Sequence, residues 1–166
     1  REVFDVLVNY GTALLGTLSK PATPERSELA GLWTQRLDQF AFHESNPSRL
    51  PVLRHFEQCV AESMLVSADL AAALAAISEK LHWMQSPSYT DKVLGEGFIE
   101  NYGWCHIIGP NGFFAGDDFL LGLLMLGPGR HYRDHYHPAP ELYWPLTPHS
   151  RWKRGASPFA EKPAGE

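Results

Sequence analysis

The sequence changes character near Pro87, and this change limits the chain to a fold that combines helices with strands. Before this point, apolar residues recur every three or four positions, the spacing of an amphipathic helix. From about residue 93 onward, glycine recurs every few residues and aromatic and β-branched residues become frequent, as in short strands joined by tight turns. We therefore predict an α+β protein, with a helical segment over residues 1–86 and a β segment over residues 87–166.

Residues typical of helix N-termini support the predicted helical segment. Thr23 is placed as an N-cap before Pro24, and Ser67 as an N-cap before an alanine-rich run. Residues 48–65 carry a third apolar stripe, and residues 1–19 are expected to be helical despite two glycines. In the second half, residues 97–114 predict strands broken by a Gly-Pro-Asn-Gly turn, and the apolar run "FLLGLLML" predicts a buried strand.

Composition excludes several classes of partner. The net charge is −5 and the only short basic run is "RWKR", so a nucleic-acid surface is not expected. No apolar run reaches the length of a membrane helix. Cys59 and Cys105 are isolated, which favours reduced thiols of a cytosolic protein over a zinc knuckle or a disulfide framework. Because the sequence begins at Arg1, a removed leader is left open.

The stretch "GPGRHYRDHYHPAPELYW", residues 127–144, carries the residues with the clearest chemical potential. If it is extended, His135 and His137 point to one side, and Glu141 and Tyr143 share a face further on. Two imidazoles, a carboxylate and a phenol suit a first-row transition metal. We therefore predict a metal site of His135, His137, Glu141 and Tyr143.

These residues also resemble a known family. The spacing from Gly129 through His135 and His137 to Glu141 is similar to the first cupin motif, in which two histidines and a glutamate bind a metal inside a small β-barrel or jelly roll. Two departures are visible. Pro148 stands where the motif ordinarily ends in glycine, and Pro145 lies where a strand is expected.

A narrower resemblance is to the cupin-type dimethylsulfoniopropionate lyases, bacterial enzymes that release dimethyl sulfide and acrylate. It rests on Tyr143, two residues after the motif glutamate, and on Tyr132 ahead of the motif. The resemblance implies a β-elimination in which Tyr143 is both a metal ligand and the base. Tyr132 would bind substrate or assist proton transfer, and His135 would bind either the metal or the substrate.

The resemblance also implies the cofactor and the partners. The cofactor would be one divalent ion, zinc, iron, manganese or nickel, among which the sequence does not choose. The substrate would be a small zwitterionic sulfonium carboxylate, whose cation suits aromatic rings such as Trp104 or Trp152. A bacterial cytoplasmic location and a homodimer are expected by analogy, with no nucleic acid or membrane partner.

The second cupin motif, which supplies the last histidine ligand, would lie about 20 to 30 residues beyond the first by this resemblance. Since the sequence ends at Glu166, we expect an incomplete cupin domain. Two other functions stay open. One is another metal-dependent cupin enzyme, such as a dioxygenase or an isomerase, which has no need of Tyr143. The other is a cupin that binds or senses a ligand without catalysis.

Overall fold

The structure, a computed structural model, describes residues 46–115, 120–133, 135, 136 and 138–166, together with the single positions 5, 11, 24, 27, 28, 31, 42 and 44. The helices are α1 (Phe56–Ser63), α2 (Ala68–Ile77) and α3 (Asp91–Leu94), and the 3-10 turns are Pro51–His55, Ser78–Lys80 and Ile99–Asn101. The strands are β1 (Tyr102–Ile108), β2 (Leu121–Leu126), β3 (Ser150–Trp152) and β4 (Ala160–Lys162).

The chain divides into two compact units, each built from separate stretches of sequence. The first contains residues 1–36, 57–76 and 138–166, and the second contains residues 37–56 and 77–137. The predicted domain boundary at residue 86 stays a prediction. The predicted helix that begins at Thr23 lies mostly outside the described residues, although Pro24 within it is helical.

In the second unit, β1 is the central strand. It pairs antiparallel with β2, with Tyr102 opposite Leu126, and its other edge meets Met84 through two backbone hydrogen bonds with Trp104 of 2.7 and 3.0 Å. Because β1 has neighbours on both edges, most of its residues are buried, including Cys105.

The predicted turn after β1 is present. The N–H of Gly112 donates a hydrogen bond of 2.9 Å to the carbonyl of Gly109, whose φ of +145° is accessible to glycine but not to most residues. The turn returns the chain so that Phe113 and Phe114 fill the core beside Ile107. The Gly-Pro-Asn-Gly sequence was therefore a correct guide to this reversal.

The start of β1 differs from the prediction. The residues just before it form the 3-10 turn Ile99–Asn101 and no strand, because the carboxylate of Asp91 accepts hydrogen bonds of 2.9 Å from the N–H groups of Gly97 and Ile99. These bonds hold the backbone in a tight loop and remove its N–H groups from any sheet.

Asn101 connects this loop to the next strand. Its side chain is almost fully buried and donates 2.7 Å to the carbonyl of Gly97, while its amide oxygen accepts from the Arg54 guanidinium. Its own carbonyl accepts 2.7 Å from the N–H of Gly127, the first residue after β2. Asn101 thus fixes the point from which the histidine-rich stretch starts.

The predicted strand "FLLGLLML" is confirmed over Leu121–Leu126, but it is only partly buried. Met125 lies in the core, whereas Leu124 and Leu126 are more than one third exposed. A strand with one neighbour and one covered face alternates in burial in this way.

In the first unit, α2 begins where the sequence predicts. The hydroxyl of Ser67 accepts a hydrogen bond of 3.3 Å from the N–H of Leu70, and its carbonyl accepts from Ala71, the two bonds of an N-cap. Strands β3 and β4 form a separate antiparallel pair in which Arg151 lies opposite Glu161. No described helix has the length and apolarity needed to cross a membrane.

The prediction that the histidine-rich stretch continues as strands was wrong for the residues that the structure describes. Between Leu126 and Ser150, none of those residues belongs to a helix or a strand. Five prolines, at positions 128, 138, 140, 145 and 148, account for this, since each lacks the N–H that a strand donates to its neighbour. Side-chain contacts, more than strand alternation, must therefore orient the residues of this stretch.

Candidate functional site

Tyr132 is the predicted site residue with the most fully defined surroundings. Its hydroxyl lies 3.2 Å from the hydroxyl of Tyr89. Its ring centroid lies 5.5 Å from that of Tyr102, 6.0 Å from that of Tyr89 and 6.2 Å from that of Phe98. We refer to Tyr89, Phe98, Tyr102 and Tyr132 as the aromatic cluster.

The local structure around each residue positions the rings of the aromatic cluster. Tyr102 is the first residue of β1, and Phe98 lies in the loop that Asp91 closes. Both are almost fully buried, and their rings form the wall against which Tyr132 packs. Tyr89 precedes α3, and its N–H donates 3.0 Å to the carbonyl of Ser86. Tyr132 is half-buried against this wall.

This environment keeps the Tyr132 phenol protonated. Burial raises its pKa, and the hydrogen bonds with the hydroxyls of Tyr89 and Tyr102 raise it further. Burial likewise raises the pKa of Tyr102. A phenol with a raised pKa stays protonated at neutral pH and can donate a hydrogen bond. This fits substrate binding, one of the two roles predicted for Tyr132, while its role in proton transfer stays a prediction.

His135 contacts Tyr132 directly. The two ring centroids lie 4.5 Å apart with the planes at 37°. The Nδ1 atom of His135 lies 3.0 Å from the carbonyl of Arg133, so in the neutral imidazole Nδ1 carries the proton and the lone pair is on Nε2. A backbone carbonyl often orients a metal-binding or substrate-binding histidine in this way.

The other three predicted ligands are His137, Glu141 and Tyr143. His137 is outside the described residues. Glu141 and Tyr143 belong to the first unit, whereas His135 belongs to the second. Glu141 is exposed, and Tyr143 is 39% exposed, with its ring centroid 5.3 Å from that of Trp152.

The donor chemistry of the predicted site fits a divalent first-row metal, because imidazole nitrogen, carboxylate and phenol are ligands that such ions accept. Within the ranges that the structure describes, which omit His137, no three histidine, cysteine or acidic side chains lie close enough together to hold an ion. The four predicted ligands therefore stay a prediction.

A cleft of about 190 Å³ lies beside the aromatic cluster and shares Phe98 with it. Its lining includes the two arginines Arg130 and Arg133, together with His131 and the acidic residue Glu96. Arg130 also donates 2.8 Å to the carbonyl of Glu96. The two arginines suit a small anionic group such as a carboxylate, but Glu96 offsets part of their positive charge.

Sequence reasoning missed the partners of Tyr132. Tyr89 is 43 positions from Tyr132, and Phe98 and Tyr102 also lie in earlier segments. No local spacing links them to the histidine-rich stretch. The only signal was the density of aromatic residues after Pro87, which predicted strands and not a site.

Comparison with known proteins assigns the family. The profile of the dimethylsulfoniopropionate (DMSP) lyase family matches residues 26–166, most of the chain and all of the predicted site. The chain belongs to the DMSP lyase family. As a member of this family, the chain is a carbon–sulfur lyase. The predicted resemblance to the DMSP lyases is therefore confirmed.

The fold agrees with this assignment. The DMSP lyase chain is similar to a chain from the crystal structures of the DMSP lyases RdDddP and RnDddQII, with a TM-score of 0.67 and 23% identity. The alignment covers 94% of the present chain and 80% of the other. The predicted α+β fold of cupin type is thereby confirmed. No curated protein is significantly similar to the lyase in sequence.

Proposed function

We propose that the chain cleaves DMSP to dimethyl sulfide and acrylate by β-elimination, with one divalent metal bound by His135, His137, Glu141 and Tyr143. The observation that carries this proposal is the family match, which spans every one of these residues. The contact between Tyr132 and His135 supports it further, because two residues predicted to bind substrate lie side by side.

In the proposed reaction, the Tyr143 phenolate removes a proton from the carbon next to the substrate carboxylate. The electron pair of that C–H bond forms the new double bond, and the bond to sulfur breaks so that dimethyl sulfide leaves with its electrons. When bound, a divalent metal supplies Lewis acidity toward the carboxylate and favours the phenolate form of Tyr143. Tyr143 then returns its proton to solvent.

Tyr132 would have a different role from Tyr143. Since burial and neighbouring hydroxyls hold its pKa above the ordinary range, we propose that it donates a hydrogen bond to the substrate carboxylate. His135 would offer Nε2 either to the metal or to the substrate. Both assignments use the orientation that the Arg133 carbonyl gives to this ring.

Trp152 supplies an aromatic face for the sulfonium group. Its ring lies beside that of Tyr143, and its indole N–H already donates 2.8 Å to the Ser150 hydroxyl. The indole is thereby held by one edge, which leaves its face as the attractive surface for a cation. Trp104, the other candidate, instead packs 4.8 Å from the His106 ring.

Gas chromatography of the headspace above protein mixed with DMSP is the direct test. We expect dimethyl sulfide from the unaltered protein supplied with iron, manganese, nickel or zinc, and none from His137→Ala or Glu141→Ala. If the unaltered protein releases no dimethyl sulfide with any of these metals, the proposed reaction is wrong even though the family is established.

Two further measurements separate the alternatives. Another metal-dependent cupin reaction would survive Tyr143→Phe, so a variant that keeps both its metal and its activity contradicts the tyrosine-base mechanism. A binding or sensing cupin would show no turnover, and elemental analysis with thermal unfolding after chelation would show whether it holds a structural metal. A bacterial cytoplasmic location and a homodimer stay predictions.

A further inference from the structure

We propose that Tyr89 is a positioning residue of the lyase, because its hydroxyl and ring hold Tyr132 against the His135 imidazole. This inference rests on the proposed function, in which Tyr132 and His135 face the substrate. It adds a residue that lies well outside the histidine-rich stretch and that no motif identifies.

The contact between the two tyrosines has two parts. The hydroxyl oxygens lie 3.2 Å apart, and the rings meet edge to face with centroids 6.0 Å apart and planes at 71°. Edge-to-face aromatic pairs are favourable beyond simple burial, and the hydroxyl contact adds direction. Together they restrict both the tilt of the Tyr132 ring and the position of its oxygen.

Tyr89 can perform this role because it is itself held. Its ring centroid lies 5.5 Å from that of Tyr102 and 6.4 Å from that of Phe98, and both of these residues are 2% exposed. Its backbone N–H is fixed on the carbonyl of Ser86. A side chain packed on two core rings loses little entropy when its hydroxyl makes one more contact.

Tyr132 needs such support because its own backbone provides little. Neither Tyr132 nor His135 belongs to a helix or a strand, so no backbone ladder sets their orientation. The ring of Tyr132 instead stacks on Phe98, 6.2 Å away at 27°, and contacts His135 at 4.5 Å. Any rotation of Tyr132 would therefore displace the imidazole as well.

The test starts from Tyr89→Phe, which keeps the ring contacts and removes the hydroxyl. We expect kcat for DMSP cleavage to fall about five- to tenfold, the ratio for one neutral hydrogen bond, with less than about a twofold change in KM. Tyr136→Phe is the matched control, because Tyr136 is 94% exposed and adjoins His135 in the sequence. We expect the control to retain full activity and both variants to unfold cooperatively near the temperature of the unaltered protein.

A double-mutant cycle distinguishes positioning from a general structural effect. If Tyr89 acts through the Tyr132 hydroxyl, adding Tyr89→Phe to Tyr132→Phe causes no further loss of kcat. Aromatic NMR spectra of the metal-free protein give a second readout, in which the Tyr132 ring signals shift in Tyr89→Phe and not in Tyr136→Phe.

The outcomes separate the two proposals. An inactive unaltered protein contradicts the proposed function, and the inference falls with it. An active protein whose Tyr89→Phe variant matches Tyr136→Phe, or whose losses add in the cycle, contradicts the role of Tyr89 alone.

Discussion

The Asp91 carboxylate accepts a hydrogen bond of 2.9 Å from the backbone N–H of Ile99, eight residues further along the chain. A second bond of 2.9 Å comes from Gly97, so one exposed side chain closes the loop that carries Phe98 into the aromatic cluster. The candidate site thus depends on a carboxylate that has no part in the proposed chemistry.

This arrangement predicts a dependence of stability on pH. The hydrogen bonds from Ile99 and Gly97 lower the pKa of Asp91 below its ordinary value of 3.8. A lowered pKa stabilises the folded state above pH 3.8, and this contribution is lost as the pH falls through the folded-state pKa. Asp91→Asn should therefore be less stable than the unaltered protein at pH 7, and the difference should shrink as the pH falls below 3.8.

Urea unfolding at a series of pH values measures that difference. Glu100→Gln is the control, because it removes one exposed negative charge without touching the loop hydrogen bonds. A difference between Asp91→Asn and the unaltered protein that stays constant down to pH 2 would contradict the proposed role of the carboxylate.

Replacing Asn101 should lower the free energy of unfolding by more than replacing Asp91, and this loss should not depend on pH. Its buried amide bonds the Gly97 carbonyl and the Arg54 guanidinium, and Asn101→Ala leaves both partners without it. We expect a loss of about 2 to 3 kcal/mol in the free energy of unfolding, measured by urea titration. Asn46→Ala, at an exposed position where the hydrogen bond made with the described residues is through the backbone carbonyl, should cost less than about 0.5 kcal/mol.

The two cysteines should differ in how fast they are alkylated. Burial raises the pKa of Cys105 to about 12, and the pKa of the less buried Cys59 is also raised, by burial and by the Glu62 carboxylate. Because the thiolate is the reactive form, iodoacetamide at pH 8 should leave Cys105 unmodified in the folded protein and modify Cys59 slowly. Mass spectrometry of peptides checks this, and rapid labelling of Cys105 without unfolding would show that the central strand is more open than described.

Replacing Trp152 should weaken the binding of DMSP. If its face attracts the sulfonium cation, Trp152→Leu should raise KM for DMSP about fivefold, the ratio that corresponds to about 1 kcal/mol, and lower kcat less. Trp152→Phe retains an aromatic face and should recover part of the loss. Equal KM values in the unaltered, Leu and Phe forms would place the sulfonium group elsewhere.

The sequence predicted those features that depend on neighbouring residues. Ser67 caps α2 because the cap and the helix are adjacent, and the turn after β1 follows from its Gly-Pro-Asn-Gly sequence. The cupin motif was likewise a local spacing, and it led to the correct family.

Features that depend on distant residues were not predicted. The wall of Phe98 and Tyr102 behind Tyr132 forms only when separate segments fold together, so no spacing reveals it. Strand alternation failed around His135 because the prolines that follow interrupt any ladder. The predicted site residues therefore came from the motif, while their surroundings came from tertiary packing.

The hydroxyl pair of Tyr89 and Tyr132 has a consequence for the history of such enzymes. A phenol at position 89 is useful chiefly while Tyr132 is present, so selection at position 89 depends on position 132. Among descendants of a common ancestor, a change to phenylalanine at position 132 should relax the requirement for a phenol at position 89. Positions 89 and 132 are therefore expected to covary although 43 residues separate them.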